Sequence, residues 1–253
     1  MKILVIAFNT FKEIIRDRVL YNIIIFSLLI IFSAVLLGRL SIGEHSKIVE
    51  DIGLSAIEIF ALLISIFIGI TLVYKEIDKK TIYTILAKPV KRYQFILGKF
   101  IGLVAIILVN IVVMSTVLMV ISWSISGIFK FQLLQAVFLI FFEMIIITAV
   151  AILFSSFTTP FLSTLFTLAI FIIGTATTDI KNLSKKASLP LRILAETLYY
   201  ILPNLDNFDV KMQAVYGQNI NSSFLIWSVC YALLYSVLIV SLAIVIFEKR
   251  DFK

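Results

Sequence analysis

The sequence predicts an all-α polytopic membrane protein, and three observations predict it. Apolar types make up 61% of the 253 residues and charged types 15%, against about 45–50% and 25% in soluble globular chains. The mean hydropathy is +1.11. Mostly apolar stretches of about 18 residues or more recur along the chain, long enough at ~1.5 Å per residue to approach ~30 Å of hydrocarbon. A water-soluble fold of this size would be left with a large exposed apolar patch.

Taken in order, residues 2–18 come first. Leu4, Phe8, Phe11, Ile15 and Val19 recur at helical spacing, while Asn9, Lys12, Glu13, Arg16 and Asp17 take the other face. This is an amphipathic helix expected to lie in the inner headgroup layer and lead into the first span. It has no small-residue cleavage site and does not read as a signal peptide. Six spans follow, at 19–38, 52–74, 100–122, 132–154, 160–178 and 224–247. The fifth is the shortest.

Two connecting segments carry pattern of their own. Segment 75–99 has apolar residues at Ile77, Ile82, Ile85 and Leu86, a stop at Pro89, then Tyr93, Phe95 and Ile96. Apolar residues outside the bilayer need a cover, either headgroups or a partner protein. The outer segment 179–223 contains Leu191, Leu194, Leu198, Ile201 and Leu205 at helical spacing between Pro190 and Pro203. About thirteen residues give ~20 Å, too short to span, so a short outer interfacial helix is expected. Residues 1–253 read as a single transmembrane domain.

Charge sets the expected orientation. With both termini on one side, that side holds fourteen of the 22 Lys and Arg residues and the other side eight. Basic segments resist translocation, so both termini are expected in the cytoplasm. Trp123 and Trp227 then fall at outer span ends, where indoles prefer to sit. The same rule accounts for the net charge of +7 without nucleic acid as a partner.

The residues carry little sign of catalysis. Cys230 is the sole cysteine and His45 the sole histidine, which argues against disulfides, Cys or His metal sites and most general-base schemes. Gly98-Lys99 is followed by Phe100 and lacks the upstream glycine of a phosphate-cradling loop. No catalytic or cofactor-binding residue is assigned, and the chain is not expected to be an enzyme. Gly98-x-x-x-Gly102 fits a close helix–helix contact.

The anomaly is acid inside the membrane. Glu143 is the midpoint of its span, and Glu58 lies about 9 Å inside the outer edge of its own. A carboxylate near the bilayer centre costs about 2.5–3.5 kcal/mol on the lenient insertion scale. No Lys or Arg lies inside any predicted span. Asn110 and Tyr235 occur at similar depth, so the expectation is a midplane hydrogen-bonded layer of Glu143, Asn110 and Tyr235. Such a layer serves either as glue between helices or as a substrate or proton contact.

The string YKEIDKKTIYTILAKPVKRYQFILGKFIG resembles the cytoplasmic signature between the second and third spans of type-2 ABC transporter permeases, a family that includes copper-enzyme-maturation permeases. Glu76, Thr81, Ile85-Leu86, Pro89, Arg92 and Gly98-Lys99 match one by one, while Lys80 stands where the family often has Gly. LPNLDNFDV at 202–210 and FEKRDF at 247–252 are also similar. The resemblance implies a half-sized permease subunit of the cell membrane, an exporter that a second copy of itself or a related permease joins to close a central path. Two copies of a separate cytoplasmic ABC ATPase would dock on a coupling helix around 78–88. Glu76, Asp78, Thr81, Ile82, Ile85, Leu86, Pro89 and Arg92 would carry the coupling. Two other readings stay open: a proton-coupled secondary transporter using Glu143 and Glu58, and a non-transporting membrane scaffold.

Overall fold

The computed structural model describes residues 2–40, 44–78, 91–184 and 189–249, and its regular elements are helices. Asp17 separates the first two. Its carboxylate accepts the Val19 N–H at 3.0 Å, capping α2 (Arg18–Arg39) where the amphipathic α1 (Lys2–Ile15) has ended. α3 (His45–Asp78) and α4 (Arg92–Ser126) are the longest helices, at 34 and 35 residues. At ~1.5 Å per residue both exceed ~50 Å and extend well beyond a ~30 Å hydrocarbon layer. Gly127, at φ 68°, closes α4 in the left-handed conformation a side chain would disfavour.

α5 (Phe131–Ser155) forms the centre. Its residues 143 to 152 are all buried, as expected of a helix apolar on every face. It packs against α3, α4 and α10 (Ser222–Lys249), and α3 also packs against α2. α2 and α10 bury only a narrow stripe and present Phe26, Leu29, Leu234 and Val237 outward.

Between α5 and α10 lie α6 (Pro160–Thr175), α7 (Thr177–Ser184), α8 (Leu189–Ile201), a 3-10 turn at Asp206–Phe208, and the five-residue α9 (Lys211–Val215). Pro160 sits in the first turn of α6, where its missing N–H is harmless.

The protein is an all-α polytopic membrane protein. Five helices among the described residues are long and apolar enough to cross a bilayer: α2, α3, α4, α5 and α10. The fifth expected span, 160–178, is cut to the 16 residues of α6, or ~24 Å. The reason is local. The Gly174 carbonyl accepts the Leu205 N–H at 3.0 Å and the Thr177 hydroxyl at 2.9 Å, and the chain turns at Ala176. A Cβ on Gly174 would come within 2.8 Å of Leu205 and 2.9 Å of the Pro203 carbonyl. The outer segment is thus seated against the end of α6. Leu205, expected on the interfacial helix, leaves it at Ile201 and packs here instead, fully buried.

Both chain termini approach one end of the bundle. At the start of α4, Lys99 pairs with Glu13 of α1 at 3.3 Å. Arg92 donates to the Phe247 and Glu248 carbonyls at the end of α10, at 3.2 and 2.9 Å. α1 lies across the first turns of α4, and Gly98 and Gly102 let it approach. A Cβ on Gly98 would fall 2.6 Å from Ile6, and one on Gly102 2.8 Å from the Ala7 carbonyl. The face of α1 turned to α4 is Ala7, Thr10 and Ile14, while Leu4, Val5 and Phe8 stay exposed for lipid.

Candidate functional site

The segment between α8 and α10 brings a base to the acid in α3. Lys211, first residue of α9, forms an ion pair with Glu58. Its backbone N–H is held by Asp209 at 3.2 Å, and its ammonium lies 3.8 Å from the same carboxylate. Val210, Ala214 and Val215 are buried around it, so α9 is wedged against α3 and α5. The absence of Lys and Arg from the predicted spans therefore does not leave Glu58 unpaired. Its counter-ion arrives from a segment that does not span. Burial alone would lower the Lys211 ammonium, but the Glu58 carboxylate and its hydrogen bond outweigh that. With Asp209 and Glu143 they hold it above the ordinary lysine value.

A second buried acid is satisfied nearer the N-terminal end of α3. Glu50, fully buried in α3, accepts the Ser122 hydroxyl and the Lys130 ammonium, each at 2.7 Å. These contacts join α3, the end of α4 and the loop leading into α5.

Glu143 is different. It is 2% exposed, in the middle of α5, within electrostatic reach of Glu58, Lys211 and Asp209. Among the described residues no hydrogen bond reaches its carboxylate. The expected midplane layer does not form. The Asn110 amide donates to the Ile106 carbonyl of its own helix at 2.9 Å, and its Oδ1 is buried without a partner. The Tyr235 hydroxyl donates to the Ile201 carbonyl at 3.0 Å, and its ring lies tilted against Tyr231 at 5.7 Å between centroids. Local carbonyls capture both groups: a helical Asn reaches back one turn, and Tyr235 is drawn to the end of α8.

Of the coupling residues, Thr81, Ile82, Ile85, Leu86 and Pro89 lie outside the described residues. Glu76 and Asp78 fall in the last turns of α3. Arg92 opens α4, where its guanidinium caps the C-terminal carbonyls of α10. It is thereby a fastener between helices. Residues that the sequence did not single out are Lys211, Asp209, Glu50, Ser122 and Lys130. For Lys211 and Asp209 the signal was an acid and a base flanking Val210, a pattern without a partner until the fold supplies one; Glu50, Ser122 and Lys130 carried no such signal.

A helical bundle with ion-paired acids between its long apolar helices, two of which are longer than a hydrocarbon layer is thick, defines a polytopic membrane protein. The family model described as ABC-2 family transporter protein matches residues 4–252, and the chain belongs to that family. Its members are the membrane components of ABC transporters and work with an ABC ATPase. No curated protein matches the chain.

Proposed function

We propose that this chain is the permease subunit of an ATP-driven exporter, with two copies enclosing the path and two ATPase subunits docking on segment 75–99 from the cytoplasm. The family match over residues 4–252 carries the reading. The lengths of α3 and α4 support it: the two helices flank that segment and extend beyond the hydrocarbon layer. A push on the segment would be delivered to two rigid rods at once. Arg92 would pass part of it to α10 through the carbonyls it binds.

In this reading both termini are cytoplasmic, Thr81, Ile82, Ile85 and Leu86 form the docking face with Glu76 and Asp78, and Pro89 ends it. Glu143 would line or adjoin the path, and the Glu58–Lys211 pair would hold the outer segment in place. That pair counts against Glu58 as a free proton carrier, because a paired carboxylate releases its partner when it is protonated. Co-expression with the cognate P-loop ATPase tests the proposal: a stable complex containing both subunits is expected, and an ATPase that never co-purifies with the wild-type chain contradicts it.

A further inference from the structure

We propose that the turn between α1 and α2 holds the phosphodiester of a membrane glycerophospholipid, with its acyl chains lying on the inner end of α3. A cavity of about 590 Å³ opens there, within the roughly 300–1,000 Å³ of small-molecule sites. One wall is charged: Glu13, Arg16, Asp17 and Arg18. Most of the remaining lining is apolar: Val19 and Phe67 are about half exposed, at 49% and 48%, and Ile14 and Ile68 are buried.

The charges of that wall are unequally used. The Glu13 carboxylate is taken by Lys99 at 3.3 Å, and the Asp17 carboxylate by the Val19 N–H at 3.0 Å. Among the described residues neither the Arg16 nor the Arg18 guanidinium makes a hydrogen bond or ion pair. Two unengaged guanidiniums in a cavity with an apolar lining suit a ligand that is anionic at one end and hydrocarbon at the other. A guanidinium fork grips phosphate oxygens in a bidentate manner.

Depth selects the ligand. Leu4, Val5 and Phe8 of α1 are exposed and apolar, so α1 sits at the boundary of headgroups and acyl chains. Its last turn, and the arginines just beyond it, then lie at the level of lipid phosphates. Thr71, two turns before the end of α3, lines the same cavity; its hydroxyl already donates to the Phe67 carbonyl, so its oxygen can accept from a headgroup hydroxyl but makes no bond to the phosphodiester.

The test uses the full chain purified in mild detergent and native mass spectrometry after addition of phosphatidylglycerol. The wild type should retain a lipid that R16Q/R18Q loses, by about tenfold for each guanidinium contact removed. K12Q serves as the control, since Lys12 lies over the Phe8 ring outside the cavity. Inorganic phosphate alone should not displace the lipid. Equal retention by wild type and R16Q/R18Q overturns the proposal. So does displacement by inorganic phosphate, which would make this a free-anion site, or by the ATPase subunit, which would make it a protein contact. If R16Q/R18Q does not fold, the wild-type melting temperature decides: phosphatidylglycerol must raise it more than an equal amount of detergent.

Discussion

Lys211 reaches from a five-residue outer helix to the carboxylate of Glu58 inside α3, and the two form an ion pair with Asp209 behind it. The pair does two things at once. It answers the charge of an acid placed in a spanning helix, and it pins the outer segment between α3 and α5. Removing one partner leaves the other buried and unanswered, which costs about 3–5 kcal/mol in buried pairs. Lys211→Met should therefore lower the melting temperature sharply, and Glu58→Gln in the same chain should recover much of the loss. A double variant no better than Lys211→Met would mean that the pair is not what holds α9.

The same pair predicts a pH dependence. The folded-state value of Lys211 is raised above its unfolded one, so its contribution is full below the unfolded value and is lost as pH rises through the folded value. The wild type should lose melting temperature in the alkaline range above about pH 10.5, and should lose more of it than Lys211→Met does. Parallel alkaline curves for the two proteins would contradict this.

The helices were legible in the sequence because bilayer thickness sets their length and burial sets their composition. Val19 to Gly38 or Gln132 to Phe154 needed no more than counting. The α8 helix was legible from the spacing of its leucines and the two prolines. The Glu58–Lys211 pair was not, because 153 residues separate its members and no periodicity links a loop base to a span acid. The midplane layer failed for a related reason. Equal depth on three helices does not make their side chains face one another, and Asn110 and Tyr235 each found a nearer carbonyl.

Close approach of α1 to α4 yields a prediction with an internal control. Gly102→Ala would set a methyl 2.8 Å from the Ala7 carbonyl, a backbone atom that cannot swing aside. Overpacking of this kind costs about 1–3 kcal/mol, and α1 should become more accessible to protease. Gly69→Ala in α3 meets nothing closer than 3.6 Å and should be neutral or slightly stabilising, because alanine favours helix. Equal behaviour of the two variants in a thermal melt would remove the argument.

Glu143 should tolerate Gln far better than Lys. The amide keeps the volume at a position 2% exposed, whereas Lys puts a second cation beside Lys211 in the middle of α5. A charged residue at that depth costs about 2.5–3.5 kcal/mol or more. Expression and detergent melts of Glu143→Gln, Glu143→Ala and Glu143→Lys would rank them. Well-folded Glu143→Gln that has lost transport would assign the carboxylate a part in moving substrate or protons.

Orientation is open to labelling. In a Cys230→Ser background, Gln218→Cys, in the exposed turn after α9, should react with an impermeant maleimide added to intact cells. Lys91→Cys, just before α4, should react only after the membrane is opened. The reverse pattern would turn the whole topology over.

The most direct measurement is co-purification of the ATPase with a chain altered at segment 75–99. Ile85→Asp with Leu86→Asp should leave the spans intact, since the spans are held by packing between helices and by burial in lipid. Two charges placed in a desolvated contact should abolish docking. The account predicts normal insertion and melting, no retained ATPase, and no ATP-driven transport. Full ATPase retention and full transport by that double variant would contradict it.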